Sequence, residues 1–330
     1  MKLSVRILLT VLCAAMVLSA PFVISSPSIL EDALWDMQEQ LDSEAEDSGL
    51  LPLFVSSARA EAVSEYSLPI DTSAGMKPDA SLFTPDGYED ASIRVQMETR
   101  EENGVVWRIA WVEVASPTQL RTAYAGKTIK KDTTGLVTVM AKQHNAIVAI
   151  NGDNYTNEKA KHSFIYRMGE KRQDKLNKQK DILIIDENGD FHTFVKSVGA
   201  DKFEKETGHK IVNAFMFGPA LVQNGEVLKL DKEYNFNPSG REPRCAIGQL
   251  DSLSYVLVIA DGRGNSGSDG ATHQELAEFM ASLGCREAYN LDGGNSAIMV
   301  YNNEIYNYKA RERDVADVIY FATAVPSEGK

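Results

Sequence analysis

Between Ala288 and Tyr301 the chain reads Ala-Tyr-Asn-Leu-Asp-Gly-Gly-Asn-Ser-Ala-Ile-Met-Val-Tyr, an apolar strand that breaks at Asn290 and Asp292 and resumes at Ile298. A polar turn held between two buried strands restricts the fold more than any other stretch, because it must open onto solvent or a ligand while both flanks are buried. Gly293 and Gly294 can take positive φ and admit a second backbone or a ligand at close range, so Asn290, Asp292, Asn295 and Ser296 can converge on one point. An Asp-Gly pair between apolar runs is also an ordinary hairpin signal, and one such turn alone does not make a site.

The pattern occurs twice more. Ala146–Ile150 is an apolar strand running into Asn151-Gly152-Asp153-Asn154-Tyr155, and Tyr255–Ala260 is another running into Asp261-Gly262-Arg263. Three apolar strands ending in Asn/Asp-Gly turns, far apart in sequence, point to a convergent site, since ligands of sheet proteins gather where strand ends carry polar loops.

Around these turns the sequence predicts a sheet-rich chain with few helices. Ser92–Val114 reads as a half-buried hairpin about Glu101-Glu102-Asn103-Gly104, with Val105, Trp107, Ile109 and Trp111 on one face. Asp181–Ile185 and Phe191–Phe194 form a second hairpin, and Ile211–Val222, through Phe217-Gly218-Pro219, a further strand pair. Pro243-Arg244-Cys245 enters another strand. Asp132 and Thr133 are expected to cap a helix carrying Leu136, Val137, Met140 and Ala141. Residues 200–210 are charged and suit a short surface helix. Thr272-His273-Gln274-Glu275 is a capping box opening a helix that buries Leu276, Phe279, Met280 and Leu283 before Gly284 stops it. That gives Glu275 a structural role beside a possible catalytic one at the mouth of a cleft. Lys159–Lys180 carries eight Lys and Arg residues and reads as a solvated basic loop, able to steer an anionic substrate if it borders a site.

The N-terminus differs in kind. After Lys2 and Arg6, Ile7–Ile24 is nearly continuously apolar, so residues 1–24 are a signal peptide or a signal anchor, and Pro21 after Leu-Ser-Ala favours the anchor. Residues 25–84 then read as an acidic stalk, and 85–330 as the globular domain. Eight acids between Glu31 and Asp47 contribute to a net charge of −13, which argues against a nucleic-acid partner. The five histidines lack metal-ligand spacing, so no metal site or cofactor is expected from them. Cys245 and Cys285 either pair in an exported chain or remain free buried thiols.

The ordered set Ala149-Ile-Asn-Gly-Asp153, Phe217-Gly-Pro-Ala-Leu-Val222, Pro243-Arg244…Ile247-Gly248, Asp261-Gly-Arg263, Glu275-Leu-Ala277 and Asn290-Leu-Asp-Gly-Gly294 resembles the phosphodiester glycosidase family over roughly residues 90–325. It departs from the family pattern at two places: Asn295-Ser296-Ala297 stands where a third glycine and two small hydroxyl residues are usual, and Asn154 where an aromatic is frequent. The resemblance implies an α+β (mixed α/β) fold of central mixed sheets with flanking helices, and hydrolysis of a sugar-1-phosphodiester at the anomeric carbon. It implies a location outside the cytoplasm, with a cell-surface glycan or sugar phosphate as substrate and the membrane as N-terminal partner. Carboxylates are then needed at an oxocarbenium-like centre, and cations at the departing phosphate. Asp292 and Glu275 are the first catalytic pair, with Asp153 and Asp261 next. Arg244 and Arg263 are the phosphate ligands by bidentate contact. Asn151, Gly152, Tyr155, Gly218, Asn290, Gly293, Gly294, Asn295 and Ser296 complete the substrate contacts. Two alternatives stay open: a glycan-binding module that kept the pocket without the chemistry, and a divalent cation such as Ca²⁺ held among Asp153, Asp261 and Asp292.

Overall fold

A computed structural model describes residues 74–129, 133–154, 163–230, 232, 234, 236–307 and 312–325. The apolar leader, the stalk as far as residue 73 and Tyr155 lie outside the described residues. Among the described residues no helix is long and apolar enough to cross a membrane. Chain packing starts ahead of residue 85: Met76 bridges Thr323, Gly75 N donates to the His144 carbonyl, and Phe83 packs on Tyr88 and Tyr301.

The fold is α+β and dominated by three sheets. The largest runs β1 (Gly87–Glu89), β2 (Ile93–Glu102), β3 (Val105–Val114), β14 (Ser254–Ala260), β13 (Arg244–Asp251), β15 (Glu287–Leu291), β11 (Ala220–Gln223) and β12 (Glu226–Val227). A second runs β7 (Glu170–Asp174), β6 (Phe164–Arg167), β10 (Ile211–Phe215), β8 (Ile182–Asp186) and β9 (Phe191–Phe194). The third runs β17 (Glu304–Ile305), β16 (Met299–Tyr301), β5 (Val148–Asn151), β18 (Asp317–Phe321) and β4 (Leu120–Tyr124). Neighbouring strands in all three pair antiparallel. Local turn chemistry sets many of these pairings: the β2–β3 and β11–β12 hairpins turn on Asn103-Gly104 and Asn224-Gly225, all four residues at positive φ, as a tight two-residue hairpin requires.

One core joins strands of all three sheets, through Val95, Val112, Ile247 and Leu257 with Leu183 and Phe215 and with Ile150, Ile319 and Phe321. The other face of the large sheet is covered by α3 (His273–Ser282), whose Leu276, Phe279 and Met280 meet Trp107, Ile109 and Val258. Trp107 stacks on Phe279 with ring centroids 3.8 Å apart. The β2–β3 hairpin was expected to be half-buried. Instead β3 is covered on both faces, because alternation sorts its residues between two cores and not between core and water.

Two further expectations change. α1 (Val137–Gln143) has Leu136 at its N-cap and no side-chain cap of its own; Thr138 N and Oγ1 donate instead to the Glu312 carboxylate, 174 residues away. Of the two expected caps, Asp132 lies outside the described residues and Thr133 does not cap this helix. The basic stretch before Lys180 is not simply a solvated loop, for it supplies β6 and β7 and sends Arg167 into the interior. The charged segment 200–210 does form the short helix α2 (Phe203–Thr207), and α3 opens on the Thr272/Glu275 capping box.

Candidate functional site

Two of the three polar turns meet directly. Asn151 Nδ2 donates to the Asp292 carbonyl at 2.6 Å, Asn151 Oδ1 accepts from Ile298 N, and Asp292 N donates to the Gly152 carbonyl at 3.2 Å. Asn151 is fully buried, so its side chain ties the end of β5 to the turn after β15 and has no amide left for a sugar hydroxyl. The third turn joins through Arg263, whose Nη1 donates to Asn295 Oδ1 at 2.7 Å. Asn295 therefore orients an arginine. Gly294 has φ +58, and a side chain on Gly293 would stand 2.7 Å from the Pro243 carbonyl, so the paired glycines let this turn lie against the entry to β13.

The Asp292 turn and Arg263 border a cleft of about 300 Å³. Asp292, Gly293, Gly294 and Asn295 form one wall, Arg263, Glu242 and Arg313 supply charge, and Phe217, Phe236 and Asn237 complete it with Arg244. Asp292 is the carboxylate that stands out. Its carboxyl pKa is pushed up to about 6, chiefly by burial and further by the Asp153 charge, while the Ser296 hydroxyl and Arg313 oppose the rise. Ser296 Oγ is itself buried and without a hydrogen bond of good geometry, so its influence on Asp292 is one of proximity. Glu242, which the motif reading passed over, is held by Arg263 Nε and by Asn237 Nδ2. Its only sequence signal was its place in Arg-Glu-Pro-Arg at the mouth of β13.

The two arginines expected to bind phosphate are not equivalent. Arg244 directs all five of its N–H groups inward: Nε to the Ala271 carbonyl, Nη1 to the Phe236 carbonyl and His273 Nε2, Nη2 to the carbonyls of Asn237 and Gly240. Burial lowers its pKa to about 10, leaving it cationic at neutral pH. His273, pushed down to about 3 by burial and by Arg244, is neutral and accepts. Arg244 thus has no free fork for a phosphate. Arg263 lies at the surface of the cleft, with half its side chain exposed; Glu242 takes its Nε and one Nη2 hydrogen and Asn295 one on Nη1, so one N–H on each Nη is left to receive a phosphate.

The other predicted residues build the frame. Asp153 is buried and accepts from Met216 N and Phe217 N at 2.9 Å each, and from Arg167 Nη2 at 3.1 Å. Asp261 is buried against Arg108 at 3.0 Å. Glu275 caps α3 through Thr272 N and pairs with Arg241; it does not line the cleft. Its carboxyl pKa is lowered, with the Thr272 and Arg241 contacts outweighing burial. A side chain on Gly152 would collide with Asp317, and one on Gly218 with the Tyr234 hydroxyl. Asn290 Nδ2 donates to the Gly218 carbonyl at 2.7 Å. Asp153 and Asp261 are each engaged by an arginine, and among the described residues no group of three His, Cys, Asp or Glu side chains is placed to hold a metal ion. Cys245 and Cys285 are both free and buried, which settles the disulfide question.

Beyond Glu242, the sequence reading also missed Arg313 and Phe236 on the cleft wall and three residues of the frame around it. Arg167 and Asp317, both fully buried, form an ion pair beneath the Asn151 turn, and burial pushes the Asp317 carboxyl up against the pull of Arg167. Lys180 Nζ donates to the Phe217 carbonyl at 3.0 Å and lies 4.6 Å from the Phe236 ring centroid, with its pKa pushed down to about 8 by burial.

The phosphodiester glycosidase family model matches residues 144–322, more than half of the chain and all three polar turns. The chain belongs to the phosphodiester glycosidase family. A Bacillus subtilis (strain 168) relative, the SPbeta prophage-derived uncharacterized protein YomE, is 30% identical over 109 residues; the match takes in 32% of this chain but 17% of that protein, so the shared part is a segment of a larger molecule. Among solved structures, the pro-peptide-inhibited catalytic domain of zebrafish N-acetylglucosamine-1-phosphodiester alpha-N-acetylglucosaminidase superposes with TM-score 0.55 at 18% identity, covering 79% of this chain and 98% of that one. A hypothetical protein from Synechocystis gives TM-score 0.50 at 15% identity over 72% of this chain and 64% of the other. At these identities the structural matches establish a shared fold, while the glycosidase-type hydrolase class comes from the family.

Proposed function

We propose that this member of the phosphodiester glycosidase family is an extracytoplasmic hydrolase that cleaves the anomeric bond of a sugar-1-phosphodiester in a cell-surface polymer or glycoconjugate. The observation that carries the reading is Asp292: a desolvated carboxyl, with pKa near 6, on the wall of a cleft whose accessible cations are Arg263 and Arg313. A phosphate ester leaves more readily than an alkoxide, so the reaction asks little of a general acid and much of cations at the departing oxygens. Arg263 and Arg313 answer to that need. Ionised Asp292 serves the anomeric carbon as base or nucleophile, and Glu242 is the second carboxylate within the cleft. The apolar run Ile7–Ile24 after Lys2 and Arg6 supports export and membrane attachment.

The test is incubation of the purified chain with an N-acetylglucosamine-α-1-phosphodiester, with free sugar and sugar-1-phosphate assayed separately. Free sugar is the expected product. Sugar-1-phosphate would show cleavage on the other side of the phosphorus and overturn the assignment, and binding without either product would favour a glycan-binding module.

A further inference from the structure

Phe236 sits in the left-handed region at φ +69, followed by Asn237 at φ +54, a conformation that bulky L side chains disfavour. The residue is 46% exposed, yet its ring is stacked on Phe217 at 4.3 Å and 14° with Lys180 beside it. The backbone here is secured with unusual thoroughness. Arg244 binds the carbonyls of Phe236, Asn237 and Gly240, His273 N donates to the Pro238 carbonyl, and Asn237 Nδ2 donates to Glu242. Strain maintained by so many contacts, and ending in an aromatic held open at a ligand-sized cleft, fits a recognition residue better than a core one. Within a cleft otherwise lined by Asp292, Glu242 and arginines, Phe217 and Phe236 supply the apolar surface. The part of a glycosyl phosphate that matches it is the C–H surface of the sugar, not the phosphate.

We propose that Phe236 recognises the glycosyl ring by packing against its C–H surface, and that Arg244 is a positioning residue which acts by clamping the 236–240 loop. This rests on the phosphodiester glycosidase reading of the same cleft. Arg244 then has no contact with phosphate, which falls to Arg263 and Arg313.

The full chain and its Phe236→Ala, Phe236→Trp and Arg244→Lys variants are titrated with N-acetylglucosamine 1-phosphate and, separately, with inorganic phosphate, and assayed for turnover. Phe236→Ala is expected to weaken the sugar phosphate about ten-fold, the loss that goes with exposing one aromatic contact, and to leave inorganic phosphate unaffected. Phe236→Trp should restore most of the affinity. Arg244→Lys should reproduce the Phe236→Ala pattern, and combining the two should add little. In turnover the loss should fall on KM more than on kcat. Equal sugar-phosphate affinity in wild type and Phe236→Ala overturns the role of Phe236. Loss of inorganic phosphate binding in a folded Arg244→Lys overturns its positioning role; if that variant does not fold, the Phe236 pair decides the recognition claim alone. Binding that depends on Phe236 without turnover would uphold this inference and defeat the proposed reaction. Failure of wild type to bind the sugar phosphate defeats both.

Discussion

Two groups of buried carboxylates lie close together in this protein and have opposite fates. Beneath the Asn151 turn, Asp153 and Asp317 share Arg167, and Asp153 also takes two backbone N–H groups. In the cleft above, Asp292 has its backbone tied down by Asn151 and Gly152 while its side chain forms no ion pair within contact distance among the described residues, and its pKa rises to about 6. The lower group spends its charge on holding strands together. The upper one keeps a carboxylate whose desolvation is only partly offset, by Ser296, Arg313 and the Gly293 backbone, the usual arrangement of a group that acts on substrate. Convergence of acidic residues therefore does not by itself mark them as catalytic; the partner each one has found does.

The largest expected effect tests the upper group. Asp292→Asn should reduce turnover by about 10³-fold or more, the scale on which loss of one catalytic group is felt, with an unchanged circular dichroism spectrum. A folded and active variant would remove Asp292 from the chemistry. The same substitution should stabilise the protein at neutral pH. The native carboxyl keeps its proton to about pH 6, whereas in the unfolded chain it is released near the ordinary value of 3.8. As pH rises between these values the unfolded state is favoured, a loss of about 1–3 kcal/mol that is complete above pH 6 and absent below pH 4. Urea unfolding of wild type and Asp292→Asn should diverge across that window and coincide below it.

The lower group is tested by Arg167→Met, which leaves two buried carboxylates without their cation and should cost about 3–5 kcal/mol in urea unfolding. A loss under about 1 kcal/mol would show that the pair is not what secures β6 against β18. Next in size, Arg263→Ala should raise KM for the phosphodiester about 10- to 100-fold, as expected for charge-assisted hydrogen bonds to phosphate; an unchanged KM would move the phosphate elsewhere. In the pH profile, turnover should climb as Asp292 ionises, with an apparent pKa near 6, and a flat profile between pH 5 and 7 would contradict a role for the ionised form. The smallest effect falls on Glu275→Gln, which should lose about 1 kcal/mol of stability or less from the α3 cap and retain turnover. If it abolished turnover in a folded protein, the line between frame and chemistry would have been drawn in the wrong place.

Much of the frame was legible from local pattern. The Asn-Gly hairpins, the Thr272/Glu275 box and the apolar strands into Asn151, Asp261 and Asn290 all depend on residues within a few positions of one another, and the structure keeps them. The site was legible as a place, since the turns at Asn151 and Asp292 do meet. Roles within it were not. Arg244 and Arg263 look alike in sequence, each beside a strand end, yet one is buried with all its N–H groups on loop carbonyls and His273, and the other, paired with Glu242 and Asn295, keeps half its side chain exposed at the cleft. Arg167 looked like one more cation in a basic run, and nothing near it announced partners at Asp153 and Asp317, 14 and 150 residues away.

The sequence by itself determined where strands begin and end, which turns are polar and which helix is capped, because φ/ψ preference, alternation and capping are decided by near neighbours. Only the tertiary structure decided which charges are paired and which are left to act. Burial makes an unpartnered charge costly and a partnered one inert, and both burial and partner are supplied by strands that meet from distant parts of the chain.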